Sequence, residues 1–234
     1  MSNCRAQALK TQLSEAEAKA MLVKAGIPVL PYRVVRDAEK AVEAAEKMGY
    51  PVVLKVHSPD VVHKTDVGGV RLNLRDAGEV RAAFYSVLET VRQKCPGVDI
   101  EEVIVSPFLT GGVEVITGVT RDPQFGPVLM FGLGGVFVEV LKDVSFRVLP
   151  IGPPDAMDMI RSVKGYPVIA GTRGRGPLDL ESLRSMLCAV SRMVETHPEI
   201  EELDMNPVFL FGTGLMVVDA RMLVSGARPG SRDQ

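Results

Sequence analysis

Two stretches of the chain carry side chains whose types and spacing could do chemistry. The first places Lys55 in an apolar segment and His63 in the polar, glycine-terminated loop that follows it. A neutral imidazole is a competent nucleophile, and Lys64 with the amides near Gly68-Gly69 could hold a phosphate close to it. This pattern is typical of a residue that accepts a phosphoryl group and passes it on. A lone loop histidine also serves structural roles, so the residues alone leave both interpretations of His63 open.

The second stretch is a hairpin near the end of the chain. Gly212-Thr213 suits a two-residue turn of type II′, which requires glycine at its first position. Counting back along both strands places Asn206 directly opposite Asp219, with Asp204 on the same face. Two carboxylates and an amide are oxygen ligands that Mg²⁺ accepts together with water and phosphate oxygens. The alternative is that Asp204 only pairs with Arg221 across the hairpin and that no cation binds.

A glycine-rich segment over residues 131–136 follows an apolar strand, where its small residues could let backbone amides approach an anion. It lacks both the dinucleotide-binding fingerprint and the phosphate-loop pattern that ends in Gly-Lys-Ser/Thr. Neither of those nucleotide-binding folds is therefore predicted. Glycines at strand ends also form turns, so that Gly134 and Gly135, taken alone, fit either interpretation.

Composition narrows the class of protein. The 234 residues are 46% apolar, which is enough for a sizeable core. Lysine and arginine (27) nearly balance aspartate and glutamate (29) without a basic block, so neither nucleic acid nor a membrane surface is predicted as a partner. Three widely spaced cysteines argue against a disulfide framework and favour a reducing cytoplasm. We expect a cytoplasmic protein without a leader or a membrane span.

Caps and periodicity predict the elements that must position these residues. Capping patterns at Ser14, Asp37 and Asp76 open three helices, and residues 50–56 form a buried strand that carries Lys55. Further strands are predicted at 101–105, 113–120, 127–131, 144–149 and, as a pair, within 202–220, with helices at 154–162 and 179–196. Helix blocks and consecutive strands predict an α+β protein with largely antiparallel sheets.

Two lobes are predicted, joined near Ser106-Pro107. The predicted division is an N-terminal extension over residues 1–13, a first lobe over 14–105, a second lobe over 106–225 and a disordered tail over 226–234. The loop around His63 then belongs to the first lobe and the hairpin with Asn206 and Asp219 to the second.

Taken together, five motifs resemble those of the nucleotide-binding β subunit of ADP-forming acyl-CoA synthetases of the acetate-CoA ligase type. They are Val53-Leu54-Lys55, the segment from Ser58 to Val70, the segment from Gly118 to Pro127, Phe131-Gly132-Leu133-Gly134-Gly135 and Asp204-Met205-Asn206-Pro207. The resemblance runs from about Ser14 to Leu223. It implies an ATP-grasp fold, in which two α/β lobes with mainly antiparallel sheets clasp a nucleotide.

The resemblance implies a phosphoryl-transfer cycle that is split between two polypeptides. A CoA-binding partner forms an acyl phosphate, carries the phosphoryl group on its own histidine and passes it to His63, from which it reaches ADP to give ATP. The loop from Val62 to Gly69 would swing between sites. The reverse direction activates a carboxylic acid.

The same resemblance implies the residues that hold ATP or ADP with Mg²⁺. They are Lys55 for the phosphates; Glu114 for the ribose; Ser106, Phe108 and Leu109 for the adenine; Gly134 and Gly135 in the glycine-rich motif; Asn206 and Asp219 for the metal; and Asp204 and Arg121 in support. Ser106 departs from the glutamine or glutamate that related proteins often have there, which puts the adenine contacts in doubt. No CoA-binding domain is visible, so a separate α subunit in an α2β2-like assembly is expected.

Three other functions stay open on the sequence. One is an ATP-grasp carboxylate ligase that forms an acyl phosphate directly, for which His63 would be dispensable. Another is a nucleotide-sensing module of an acyltransferase system, and the third is a non-catalytic subunit that only binds nucleotide. The sequence identifies neither the acid nor the physiological direction.

Overall fold

The computed structural model describes residues 10–58, 60–61, 64–98, 100–135, 138, 140–172 and 176–226. His63, the predicted nucleophile, lies outside these residues, as does the predicted tail beyond Gly226. Every pairing between the strands named below is antiparallel. The prediction of an α+β protein with antiparallel sheets is therefore confirmed.

Helices and strands alternate in blocks along the described chain. The helices are α1 (Glu15–Lys24), α2 (Ala38–Met48), α3 (Ala77–Lys94), α4 (Pro153–Arg161), α5 (Tyr166–Ala170) and α6 (Leu180–Thr196). The strands are β1 (Lys10–Gln12), β2 (Arg33–Val35), β3 (Val52–His57), β4 (Val70–Leu74), β5 (Glu102–Pro107), β6 (Val113–Asp122), β7 (Gly126–Leu133), β8 (Val144–Val148), β9 (Ile200–Leu210), β10 (Leu215–Val217) and β11 (Ala220–Ser225). None of the described helices is long and apolar enough to cross a membrane.

The contacts divide the described residues into two compact units. The small unit contains residues 14–16 and 30–110, and the large unit contains residues 10–13, 17–29 and 111–226. The division differs from the predicted one in three places. Lys10–Gln12, predicted to belong to an N-terminal extension, form β1 and pair with β11 in the large unit. Ser106 and Pro107 pair with β3 and so belong to the small unit. Most of α1 goes with the large unit, because Ala18 and Leu22 pack in its core.

The small unit is a four-stranded sheet in the order β2-β5-β3-β4 with α2 and α3 packed on one face. Both helices begin where the caps predict, because Asp37 accepts a hydrogen bond from the Lys40 amide and Asp76 one from the Glu79 amide, each at 2.8 Å. Gly49 ends α2 with a φ of 84°. These contacts fix the helical layer over one face of β3.

The large unit is built on a sheet in the order β1-β11-β9-β6-β7-β8, with β10 paired to β9. Helices α1, α4, α5 and α6 contribute to the core on one face of this sheet. On β9 the buried residues Leu203 and Met205 face that core, so Asp204 and Asn206 face the other way. The same holds for Glu114 on β6, which precedes buried Val115. We call this side of the large sheet its open face.

Candidate functional site

Lys55 lies at the centre of the small unit's sheet, on the face away from α2 and α3. Its neighbours Leu54 and Val56 alternate with it and pack in the helix-covered core. The Lys55 side chain is only 6% exposed, and its Nζ lies 2.5 Å from Oε1 of Glu15. A buried ammonium needs such a partner, since an unpaired charge in the interior is costly. Glu15 therefore holds the Lys55 side chain in a fixed position.

The predicted adenine-binding segment continues from the neighbouring strand. Ser106 is buried and pairs with Val53 on β3, so it lies on the same face as Lys55, two residue pairs further along. The Phe108 amide donates to the Pro51 carbonyl at 3.0 Å, which ties the chain to the sheet just beyond the end of β5. Leu109 follows and is half-buried. The small unit thus brings Lys55 and the 106–109 segment together on adjacent strands.

In the large unit, the hairpin has the register that the sequence predicts. β10 pairs with β9 from Leu215 opposite Leu210 to Val217 opposite Val208. The Asn206 amide then donates to the Asp219 carbonyl at 3.3 Å. Asn206 and Asp219 are therefore directly opposite each other, and both lie outside the core.

The turn of this hairpin differs from the prediction, which was wrong about its type. A type II′ turn needs a positive φ at Gly212, whereas the positive φ of 75° is at Gly214. Asp179, the N-cap of α6, explains the difference. Its amide donates to the Phe211 carbonyl at 2.8 Å, and its carboxylate accepts from the Gly214 amide at 2.7 Å. A residue outside the hairpin thus closes the turn.

The surroundings of Asp204 are compatible with both interpretations that the sequence left open, a metal ligand and a partner of Arg221. It pairs directly with Arg221 across β9 and β11, as the alternative to a metal site requires. Its pKa is raised, first because neighbouring protein displaces water from the carboxyl and second because Asp219 carries a like charge, while Arg221 opposes this rise. Asp204 is exposed at the surface, so the loss of water is only partial. The carboxylates of Asp204 and Asp219 thus repel each other, which a bound cation would relieve.

Glu114 and Gly134, two residues predicted to bind nucleotide, are in direct contact within the large unit. The Gly134 amide donates to the Glu114 carbonyl at 2.8 Å. A β-carbon added at Gly134 would lie 3.0 Å from the Glu114 β-carbon and 3.2 Å from its carbonyl oxygen. Gly135 has a φ of 60°, a conformation that favours glycine. The glycine-rich segment therefore sets the position of Glu114.

The oxygen ligands on the open face of the large sheet suit a hard cation. The described residues contain no group of three or more His, Cys, Asp or Glu that could hold a metal ion. The predicted set has only two carboxylates and one amide, namely Asp204, Asp219 and Asn206. Mg²⁺ typically uses one or two carboxylates and completes its octahedral shell with water and substrate phosphates. The residues present therefore fit a magnesium ion that arrives with a nucleotide.

Sequence reasoning missed two residues of this region, Glu15 and Asp179. Both occur at helix starts, where an acidic residue usually serves as a cap or favours the helix dipole. Their long-range partners could not be found from local pattern alone. Arg121, predicted in a supporting role, donates to the carbonyls of Ile200 and Pro198 at 2.7 and 2.8 Å, and so fastens β6 to the start of β9.

We expect Asp179→Ala to lower the free energy of unfolding by about 1–2 kcal/mol, the range for losing a helix N-cap. Hydrogen bonds from the amides of Ser182 and then Gly214 hold the pKa of Asp179 below its ordinary value. Its contribution is therefore present above the unfolded-state pKa and is lost as the pH falls through the lower folded-state value. Urea unfolding near pH 7 and near pH 3 should show the gap to wild type narrowing in acid. Asp179→Asn, which can still accept, serves as control, and an Ala variant as stable as wild type at pH 7 would contradict the expectation.

Gly134→Ala should weaken ADP binding and lower the free energy of unfolding by about 1–3 kcal/mol, because the added methyl crowds the backbone of Glu114. Gly212→Ala is the matched control, since nothing lies within 4 Å of its β-carbon position and its φ is not positive. Isothermal titration with ADP and thermal unfolding measure both effects. Equal behaviour of the two variants would show that the Glu114 contact is unimportant.

Comparison with known proteins identifies the class to which these two units belong. A family model described as an ATP-grasp domain matches residues 4–224, so the chain belongs to the ATP-grasp family and the predicted fold is confirmed. A β subunit of Pyrococcus furiosus acetate-CoA ligase (ADP-forming) I is 46% identical over 94% of this chain and 95% of its own length. The predicted resemblance to β subunits of ADP-forming acyl-CoA synthetases is therefore also confirmed.

Other relatives agree with this assignment. Acetate-CoA ligase (ADP-forming) I of Archaeoglobus fulgidus is 49% identical over 89% of this chain, which covers 30% of that longer protein. The structure of acetyl-coenzyme A synthetase 1 from Candidatus Korarchaeum cryptofilum, in complex with coenzyme A and a nucleotide analogue, superimposes with a TM-score of 0.88 at 47% identity, covering 91% of this chain and 93% of that one. A second structure of that protein, with Mg-AMPPCP and its phosphohistidine segment pointing towards the nucleotide site, gives a TM-score of 0.78 at 46% identity, covering 91% and 92%.

Proposed function

We propose that this chain is the nucleotide-binding β subunit of an ADP-forming acyl-CoA synthetase, an acid-thiol ligase. It would transfer a phosphoryl group between a phosphorylated His63 and ADP, so that acyl-CoA, ADP and phosphate interconvert with acid, CoA and ATP. The observation that carries the proposal is the pairing of Asn206 with Asp219, with Asp204 on the same face, in a chain of this family. This is the set of oxygen ligands that magnesium with a nucleotide would need.

The chemistry asks for charge neutralisation and alignment more than for acid-base catalysis. During ATP synthesis the bond between phosphorus and the His63 imidazole nitrogen breaks, while a terminal oxygen of the ADP β-phosphate bonds to phosphorus. Lys55, held in place by Glu15, supports the nucleotide phosphates, and Glu114 orients the ribose. Magnesium held by Asn206 and Asp219, with Asp204 nearby, would neutralise the phosphate charge.

A partner is part of the proposal. β subunits of the Pyrococcus enzymes have nearly the same length as this chain. In the longer single-chain relative the matched part is only 30% of the protein, and the rest lies outside it. We infer a separate CoA-binding α subunit, in an α2β2-like hetero-oligomer, which would select the acid. Among the described residues, Cys95 and Cys188 are free thiols, which supports a cytoplasmic location.

Detection of the phosphorylated histidine tests the function. The chain is incubated with Mg-ATP, with and without the partner and acyl-CoA, and its peptides are analysed by mass spectrometry at neutral pH. We expect an acid-labile phosphate on the peptide that contains His63. It should persist in His197→Ala, because the half-buried imidazole of His197 lies in the large unit and bonds its neighbour Glu199 at 3.0 Å. No label under any of these conditions would favour a ligase that forms the acyl phosphate directly, or a nucleotide sensor.

A further inference from the structure

Glu15 is a buried carboxylate in the small unit that the proposed chemistry uses only as the partner of Lys55. Its side chain is 2% exposed and lies between two lysines from different segments. Oε1 contacts Nζ of Lys55 on β3 at 2.5 Å, and Oε2 accepts a hydrogen bond from Nζ of Lys64 at 3.0 Å. The carboxylate thus links the strand that holds the phosphate-binding lysine to the residue that directly follows His63.

Lys64 is fixed by its backbone as well as by its side chain. Its carbonyl accepts a hydrogen bond from the Gly69 amide at 2.7 Å, and the Gly69 carbonyl accepts one from the Val56 amide on β3 at 2.9 Å. Gly69 has no room for a side chain, since an added β-carbon would lie 2.7 Å from Val56 and 3.1 Å from the Lys64 carbonyl. The turn from Lys64 to Gly69 is therefore attached closely to the end of β3. A swing of the loop expected to move between sites would then have to turn about Lys64 or break these contacts.

The charges of Glu15, Lys55 and Lys64 favour one fixed geometry of the three side chains. One carboxylate faces two ammonium groups whose side chains are only 6% and 13% exposed. Buried charges are stable only with good geometry, and removal of one partner leaves another uncompensated. Lys55 contacts one oxygen of Glu15 and Lys64 the other. The rigid carboxylate therefore fixes the distance and direction between the two lysine side-chain nitrogens. The pair of Glu39 with Arg81 also uses both carboxylate oxygens, but its side chains are 67% and 44% exposed, so water weakens it.

We propose that Glu15 is a positioning residue which, through Lys64, fixes the chain immediately after His63 relative to Lys55. The inference rests on the proposed function, because it concerns the phosphoryl transfer through that histidine. The contacts of Glu15 given above are to lysine side chains, so we assign it a positioning role and not a catalytic one. Its effect is geometric, since displacement of a reacting group by about 1 Å can slow a reaction about a hundredfold.

The test uses Glu15→Gln, Lys64→Met and the double variant in the full chain, with Glu39→Gln as control. Lys64→Met removes the ammonium but keeps an unbranched side chain that is one atom shorter. It leaves the Glu15–Lys55 contact in place, so it separates the two roles of Glu15. The first readout is hydrogen exchange of the amides over residues 64–70 in the unphosphorylated chain. We expect about tenfold faster exchange in Glu15→Gln and Lys64→Met, but not in the control. Amides of α3 should be unaffected in Glu15→Gln, Lys64→Met and the double variant, since α3 pairs with Glu39 and not with Glu15.

The second readout is the single-turnover rate of phosphoryl transfer from the phosphorylated chain to ADP in the complex with its partner. We expect Lys64→Met to lower this rate at least about tenfold while the Kd for ADP stays within about twofold, and the double variant to be no slower than Glu15→Gln alone. The inference would be overturned if Lys64→Met left both the hydrogen exchange and the transfer rate unchanged. It would also be overturned if the double variant were slower by the product of the two single effects. If the proposed function is wrong, the wild-type chain will carry no phosphate label on His63. The hydrogen-exchange result does not depend on that label, because it is measured in the unphosphorylated chain. If Glu15→Gln does not fold, Lys64→Met alone decides the question.

Discussion

Replacing His63 with alanine is expected to abolish acyl-CoA-dependent ATP synthesis in the complex with the partner, by more than about 10⁴-fold, the scale of losing a nucleophile. No other described histidine can take over. His57 lies on β3 and is paired with Glu102, and His197 lies at the end of α6 in the large unit. Nucleotide binding should stay largely intact, because Lys55, Glu114 and the proposed metal ligands Asn206 and Asp219 remain.

Two measurements on the same preparation check this expectation. ATP formation from acyl-CoA, ADP and phosphate gives the rate, and isothermal titration with Mg-ADP gives the affinity. His197→Ala should retain the wild-type rate, which excludes a general effect of removing an imidazole. Turnover retained in His63→Ala would eliminate the phosphohistidine step. The chain would then act by direct attack of a carboxylate on ATP, as in other ATP-grasp ligases.

Local patterns predicted those parts of the fold whose causes are local. Asp37 and Asp76 start helices at the predicted positions because an N-cap needs only a side chain and an amide three residues on. The pairing of Asn206 with Asp219 followed from the loop length, which sets the register of a hairpin. In both cases the residues that decide the structure are neighbours in sequence.

Long-range contacts set the limit of these predictions. The hairpin turn has another type because Asp179, 35 residues before Gly214, takes over one of its hydrogen bonds. The predicted lobe boundary at residue 106 falls inside β5, because sheet pairing with β3 continues to Pro107. Glu15 looked like an ordinary first-turn acid, and only the fold brings Lys55 and Lys64, 40 and 49 residues later, to its two oxygens. The roles of the nucleotide-binding and metal-binding residues stay predictions until the variants are measured.

Asp219→Ala is expected to raise the magnesium concentration needed for nucleotide binding by at least about tenfold, since even the outer partners of metal ligands are worth 10- to 100-fold in affinity. The backbone pairing with Asn206 survives the substitution, because Asn206 donates to the carbonyl and not the side chain of Asp219. The loss would therefore report on a ligand and not on the register of the hairpin.

Titration of ADP at a series of magnesium concentrations separates the metal from the nucleotide. Asp219→Ala should bind ADP weakly at low magnesium and recover as magnesium rises, because Asn206 and the phosphate oxygens still offer ligands. Glu202→Ala is the matched control, since Glu202 is an exposed carboxylate on the same strand and face, two residues before Asp204. A magnesium dependence in Asp219→Ala equal to that of Glu202→Ala would rule out the hairpin as the metal site. Asp204 would then be no more than the partner of Arg221, as its direct pairing with that residue allows.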